Sequence, residues 1–340
     1  MSFRRRRRNA REQETNEAEE EEEEEEEVEE KSVFEEMTIE QILNHRDVVP
    51  KKKLKFVREL FNRVSEKYDV MNVLISFGFT SYWRLKALRG LQLRMHAKVL
   101  DVGCGSGAST ARVLKRYKGI CVECDGIDPS EEMINVAKKR NADARAHYRV
   151  GNIENTDGVY EDDTFDAVIT VYTLRNFADS QIAIWQMMRI LKPGGKLVVL
   201  DAFPPQFFLA RFFLRLWLDY VMPIVALVFI RDEKDRKAYR YLSKSIQKAK
   251  YTPETFVHAL GNKGAINMKV TKYMFGACCK IECEKLYLKR DEQDPLQRYK
   301  SEDKRPYYEP MEWTDFIFPL FMCFLLSSLF SKWIMSLELE

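Results

Sequence analysis

Between residues 98 and 201, short apolar runs alternate with stretches of helical periodicity, and this alternation constrains the fold of the 340-residue chain more than any other feature. Residues 98–102 form an apolar run, followed by a glycine cluster and a helix-like stretch to Tyr117. The order then repeats, with strands predicted at 119–127, 144–150 and 165–171 and helices at 130–140 and 181–191. A fifth strand, 196–201, follows the turn Pro193-Gly194-Gly195. Strands separated by helices of about 10–15 residues form a parallel, doubly wound α/β sheet. Two last apolar runs, 266–273 and 278–288, flank Gly276 and predict a closing hairpin.

The run Val99-Leu100-Asp101-Val102-Gly103-Cys104-Gly105-Ser106-Gly107 is a strand entering a glycine turn ahead of a helix. Glycine lets the chain turn sharply and lets a ligand approach the main chain. In dinucleotide enzymes the helix N-terminus beyond such a turn holds a pyrophosphate. Here the pattern is D-x-G-x-G-x-G, and Asp101 at the strand end suits a cationic amino-acid moiety better than a pyrophosphate. Asp128 ends the second strand, where a carboxylate can accept hydrogen bonds from both ribose hydroxyls. Asn152 follows the third strand, where its amide can meet an adenine edge. An NAD enzyme would share the first two features. Asp101, Asp128 and Asn152 at successive strand ends fit S-adenosyl-L-methionine better.

Outside this core, charge and apolar content divide the chain. Residues 1–36 carry 7 Lys/Arg against 16 Asp/Glu, with arginines at 4–8 and an uninterrupted glutamate run at 19–27, so a disordered tail is expected. No apolar stretch follows the arginines as a secretory signal would require, and the acids are the reverse of a mitochondrial presequence. A helical pattern starts at Ile39, Ile42 and Leu43 and continues through Phe56, Val57, Leu60, Phe61 and Val64, so residues 37–289 are taken as the folded domain. Within it, residues 207–230 are apolar but interrupted by Arg211, Arg215 and Asp219 four apart, which reads as an amphipathic helix. Residues 290–312 read as a linker, and 313–335 are long and apolar enough for a transmembrane anchor, with Trp313 and Trp333 near its ends. The seven cysteines and four histidines show no metal-ligand spacing, so no metal is expected.

Tyr68-Asp69-Val70-Met71-Asn72 with Ser76 and Trp83, Leu174-Arg175-Asn176 after the fourth strand, Arg189-Ile190-Leu191-Lys192-Pro193-Gly194-Gly195, and Tyr239-Arg240-Tyr241-Leu242 form a set of signatures. Over residues 54–288 the chain thereby resembles the ubiquinone/menaquinone biosynthesis C-methyltransferase family. That resemblance implies the class I methyltransferase fold: a Rossmann-like, mostly parallel seven-stranded sheet with an antiparallel last strand. It implies methylation of a ring carbon of a polyprenylated quinol, and cofactor contacts at Thr110, Asp128, Asn152 and Ile153. The sequence departs from the family at Thr80, where a histidine is usual, at Val171, where members can carry a serine, and at Asp201-Ala202-Phe203, where E-x-S is usual.

Transfer to an aromatic carbon needs an electron-rich ring aligned with the methyl donor. Arg175 is assigned to stabilise a phenolate, or help generate it through a water, and Asn176 to orient the ring. Tyr68 and Asp69 are candidate cleft residues, with helix packing and capping as the alternative. With the glycines 103, 105 and 107, these residues form the expected site. The partners implied are a lipid-soluble quinol, a membrane and a quinone-biosynthesis complex. The anchor would leave the enzyme facing the cytosol, whereas family membership suggests a mitochondrial membrane for a eukaryotic enzyme. Other readings are a C-methyltransferase for a sterol or tocopherol-like acceptor, and a tethered cofactor-binding scaffold without turnover. A nucleic-acid methyltransferase is not expected: it leaves the bilayer-length segment unexplained, and no N/D-P-P-Y-type motif follows the fourth strand.

Overall fold

The computed structural model describes residues 37–43, 50–76, 78–287 and 306–309. The expected tail at 1–36 and the expected anchor at 313–335 lie outside them.

Four helices come first: α1 (Ile39–Leu43), α2 (Pro50–Val64), α3 (Tyr68–Ser76) and α4 (Phe79–Arg89). The alternating region then gives β1 (Lys98–Val102), α5 (Ala108–Arg116), β2 (Glu123–Asp128), α6 (Glu131–Arg140) and β3 (Ala146–Val150). It continues with β4 (Phe165–Val171), α7 (Ser180–Ile190) and β5 (Leu191–Ala202). Helices α8 (Phe208–Leu216), α9 (Met222–Phe229), α10 (Glu233–Gln247) and α11 (Pro253–Gly261) precede the last strands, β6 (Ala265–Tyr273), β7 (Cys278–Lys285) and β8 (Tyr307–Glu309).

The strands form one sheet in the order β3-β2-β1-β4-β5-β7-β6-β8. Strands β1 to β5 run parallel, and β7 is antiparallel to both its neighbours. This is the doubly wound arrangement the alternation predicts. The sheet has eight described strands instead of seven because Tyr307–Glu309, inside the expected linker, pairs parallel with β6. There Glu309 pairs with Lys269 and accepts a hydrogen bond from Thr271. The strand predicted at 119–127 begins only at Glu123, because residues 117–121 turn and Cys121 adopts a left-handed φ of 49°. The Pro193-Gly194-Gly195 turn is a bulge inside β5: Leu191 pairs with Phe165, Lys196 with Ala167, and residues 192–195 loop out between them.

Successive strand residues face opposite sides. Leu100, Val168, Leu197 and Val199 pack with Ile184 and Met187 of α7 and Phe256 and Leu260 of α11. Val99, Ala167, Ile169 and Val198 pack on the other face with Leu88 of α4 and Val113 and Leu114 of α5. Burial on both faces is why these strands read as continuous apolar runs. A separate cluster joins the N-terminal helices to α9 and α10, with Phe56, Val57, Leu60, Met71, Trp217, Met222 and Tyr241 among its members. This layer covers the carboxyl ends of the strands, where ligands bind in open α/β sheets.

Helices α8 and α9 are joined through a π-helical turn, Trp217–Val221, into one 22-residue apolar helix, Phe208–Phe229. The extra residue of a π turn shifts the phase of all that follows. Trp217, Leu218, Met222 and Ala226 therefore stay buried on one side. The other side exposes Phe208, Leu209, Phe212, Ile224, Leu227 and Val228 along with Arg211, Arg215 and Asp219. The charges do sit on the outer side, as their spacing predicts, but that side is largely apolar too.

Candidate active site

A cavity of about 830 Å³ opens at the carboxyl ends of β1, β2 and β4. Its floor is the glycine turn after β1. Gly103 holds a φ of +65°, and a Cβ there would lie 2.2 Å from Thr173 Cγ2, so only glycine fits. At Gly105, with φ +52°, a Cβ would meet only Met133 Sδ, at 4.0 Å, and would project into the space a ligand needs. Asp128 lines the cavity and braces the turn: its carboxylate accepts the N–H of Gly105 and that of Ser130, both at 2.9 Å. Ser130, not Asp128, caps α6, accepting from Met133 N. Asn152 and Ile153 complete the wall.

Three expected residues are placed otherwise. Asp101, Gly107 and Thr110 do not line the cavity. Asp101 is buried behind the turn, where its carboxylate accepts from the Thr110 hydroxyl at 2.7 Å. Burial raises the Asp101 and Asp128 carboxyls to about 6. Thr110 thus anchors Asp101.

The cavity roof comes from α2, α3 and α4 through Leu54, Val57, Phe61, Tyr68, Asp69 and Arg84. Two contacts clip this roof to the sheet. The Ser130 hydroxyl donates to Asn62 Oδ1 at 2.7 Å. Asp69 accepts from the Ser106 hydroxyl and from the Arg140 guanidinium, and Arg140 also reaches Ser106 at 2.9 Å. Successive helical residues point about 100° apart. Tyr68 and Asp69 accordingly diverge: Asp69 faces the glycine turn, while Tyr68 also lines a second cavity.

That second cavity, about 790 Å³, adjoins the first across Tyr68 and Tyr172, which line both. Its walls are mostly apolar, from Trp83, Leu214, Leu218, Met222 and Met274, with Arg175 and Thr80 as polar members. Leu214, Leu218 and Met222 belong to the inner side of the Phe208–Phe229 helix. Tyr172 adopts a left-handed φ of 63° just after β4, and its hydroxyl donates to the Thr80 carbonyl at 3.0 Å. The family departure at Thr80 therefore falls in the wall of this cavity, and Val171 lines the first.

Arg175 and Asn176 follow in a short 3-10 turn, Leu174–Asn176, and separate the same way. Asn176 faces the first cavity, its side-chain oxygen 3.4 Å from the Tyr241 hydroxyl. Arg175 faces the second, with its side chain 5% exposed and paired with Asp201, 1% exposed. Burial opposes the charge on Arg175 most strongly, but Asp201 and the neighbouring tyrosines together hold the guanidinium above its ordinary value. Arg175 Nε and Asp201 Oδ2 have no hydrogen-bond partner among the described residues. Sequence reasoning missed this partner, although Asp201 stands where E-x-S was expected to begin. Tyr172, which lines both cavities, and Asn62 and Arg140, which hold the roof to the sheet side, were missed as well, because only the fold brings their partners together.

A doubly wound sheet with an antiparallel penultimate strand, a left-handed glycine turn and acidic residues at successive strand ends defines a class I S-adenosyl-L-methionine-dependent methyltransferase. The ubiE/COQ5 methyltransferase family model matches residues 48–285, and the chain belongs to that family. The demethylmenaquinone methyltransferase of Tropheryma whipplei is 36% identical over 221 residues, covering 65% of this chain and 88% of that protein. The enzyme of that name from Thermotoga maritima is 34% identical over 210 residues, covering 62% and 88%. Among solved structures, an S-adenosylmethionine-dependent methyltransferase from Thermotoga maritima matches with a TM-score of 0.47 and 21% identity, covering 67% of this chain and 99% of that one.

Proposed function

We propose that this enzyme methylates a ring carbon of a polyprenylated quinol precursor of the ubiquinone or menaquinone type, working at a membrane surface. The observation that carries the reading is the buried Arg175, held charged by Asp201 and facing an apolar cavity that adjoins the cofactor cavity. The cofactor supplies an electrophilic methyl group on a sulfonium. Asp128 binds the ribose hydroxyls, and Asn152 and Ile153 meet the adenine. Asp101 favours the cationic moiety through its charge from behind the glycine turn. Arg175 stabilises the negative charge that develops on a ring oxygen as its proton is lost, with Nε as a donor not otherwise used. Asn176, fixed by Tyr241, orients the ring at the boundary of the two cavities. The relatives named demethylmenaquinone methyltransferases favour a naphthoquinol among the acceptors to be tried first.

The membrane part of the proposal rests on the Phe208–Phe229 helix, whose inner side lines the acceptor cavity while its outer side leaves large apolar groups exposed. A prenyl chain could pass from lipid into the cavity beside it. We further propose that residues 37–289 are the catalytic domain and that 313–335 anchor it.

The test is methyl transfer from labelled S-adenosylmethionine by the detergent-solubilised chain to a panel of reduced demethyl-benzoquinones and demethyl-naphthoquinones. Mass spectrometry locates the added methyl. Label on a ring carbon, lost in Asp128→Asn and reduced about 100-fold or more in Arg175→Lys, is the expected result. Cofactor binding without transfer to any quinol would overturn the quinol reading. Transfer to a sterol or tocopherol-like acceptor would replace it, and no transfer at all would point to a scaffold role.

A further inference from the structure

The turn carrying Arg175 and Asn176 is short, so much of its backbone must find partners outside regular structure. Two side chains of opposite charge supply them. Lys53 on α2 donates its ammonium to the carbonyl oxygens of Phe177 at 2.6 Å and Arg175 at 3.3 Å. Glu154 accepts the backbone N–H groups of Ala178 at 2.8 Å and Asp179 at 3.0 Å, one on each carboxylate oxygen. Glu154 lines the cofactor cavity beside Asn152 and Ile153.

Lys53 is 4% exposed and sits on the buried side of α2 with Val57, Leu60 and Val64. Burial lowers its amine to about 8, with the Glu154 charge opposing the shift. A methionine of similar length would fill this space without the cost of desolvating a charge. What the ammonium gains in return is the two turn carbonyls, which a methionine would leave without this donor.

We infer that Lys53 and Glu154 are positioning residues for methyl transfer: they grip the 175–179 turn by its carbonyls and its amides, and so fix Arg175 and Asn176 relative to the cofactor-lining segment. The inference rests on the reading of Arg175 and Asn176 as the pair that handles the acceptor.

The experiment places Lys53→Met, Glu154→Ala and Glu154→Gln in the full chain beside Arg175→Lys. Thermal midpoint, S-adenosylmethionine affinity, and kcat and KM for a short-chain demethyl-naphthoquinol are measured, with kcat referred to titrated cofactor sites so that unfolded protein does not count. Lys53→Met leaves the Phe177 and Arg175 carbonyls without their donor, so the midpoint should fall by a few degrees, while cofactor affinity and KM are kept and kcat per cofactor site falls roughly 10- to 100-fold. Glu154→Gln retains an oxygen that can accept one turn amide and should lose less kcat than Glu154→Ala. Wild-type kcat in Lys53→Met, with Arg175→Lys impaired, overturns the clamp alone. Full activity in Arg175→Lys sinks the assignment of Arg175 and the clamp with it.

Discussion

Asp128 joins three jobs at one carboxylate: it braces Gly105, it holds the start of α6, and it faces the cofactor cavity. Its burial, like that of Asp101, raises the carboxyl to about 6. On the proposal that ribose hydroxyls donate to the ionised form, cofactor affinity should be flat above pH 7 and fall as pH drops through 6, approaching about tenfold per unit for one group. Calorimetry at pH 7.5 and 5.5, repeated in buffers of different ionisation enthalpy, should show weaker binding and proton release at the lower pH. The sign for stability is opposite. A carboxyl raised on folding stabilises fully below its unfolded value of 3.8, and that contribution is lost as pH rises through 6. The cofactor-free enzyme should therefore gain a few degrees of melting temperature near pH 5 from these two groups. At Arg175, removing one member of a buried pair leaves Asp201 uncompensated. Arg175→Ala should cost about 3–5 kcal/mol in denaturant unfolding, whereas the double variant Arg175→Met/Asp201→Leu should recover most of it.

At the scale of elements, α2 and α3 close the cofactor cavity through Asn62, which reaches Ser130, and Asp69, which reaches Ser106 and Arg140. The Asp69–Arg140 pair is partly exposed, so Arg140→Ala should weaken cofactor binding by only about 0.5–1 kcal/mol. A measured loss far beyond that would give Arg140 a direct role with the cofactor. The Phe208–Phe229 helix has apolar residues on both sides, and neither side is idle in the proposed function. Ile224, Leu227 and Val228 are each at least 60% exposed. Replacing all three with serine should change folding stability by no more than about 0.5 kcal/mol per site. Flotation with anionic phosphatidylglycerol vesicles should show the triple variant bound more weakly than the parent. Equal flotation would remove this helix from the membrane proposal.

For the whole molecule, the sheet and its two layers of flanking helices form a frame on which the N-terminal helices, α9 and α10 build a separate cap. Residues 1–36, with 16 Asp/Glu against 7 Lys/Arg, lie outside the described residues. Residues 37–289 alone should keep cofactor affinity, and loss of the short β8 should lower the melting temperature by no more than about 2–4 °C. A truncated chain that no longer binds cofactor would show that the domain extends beyond these limits.

The doubly wound sheet was legible because burial on both faces imposes continuous apolar runs and the crossovers impose helical periodicity; β1 and β4 fall at the predicted residues. The cofactor turn was legible for a related reason, since left-handed backbone at Gly103, Gly105 and Gly107 leaves a local mark in residue type. The partner of Arg175 was not legible, because Asp201 lies 26 residues away on the next strand and no local pattern ties the two. Lys53 stands one turn before Val57 on the buried side of α2, and its partners lie 122 and 124 residues away, so no local pattern marks its role. The sequence by itself determined the alternating strands and helices and the glycine turn after the first strand, which follow from periodicity and residue type. Only the tertiary structure decided that Asp101 stands behind the turn, that Tyr68 lines a second cavity as well as the one it shares with Asp69, and that Arg175 is buried. Those outcomes depend on where side chains distant in sequence meet, and burial is a property of the meeting.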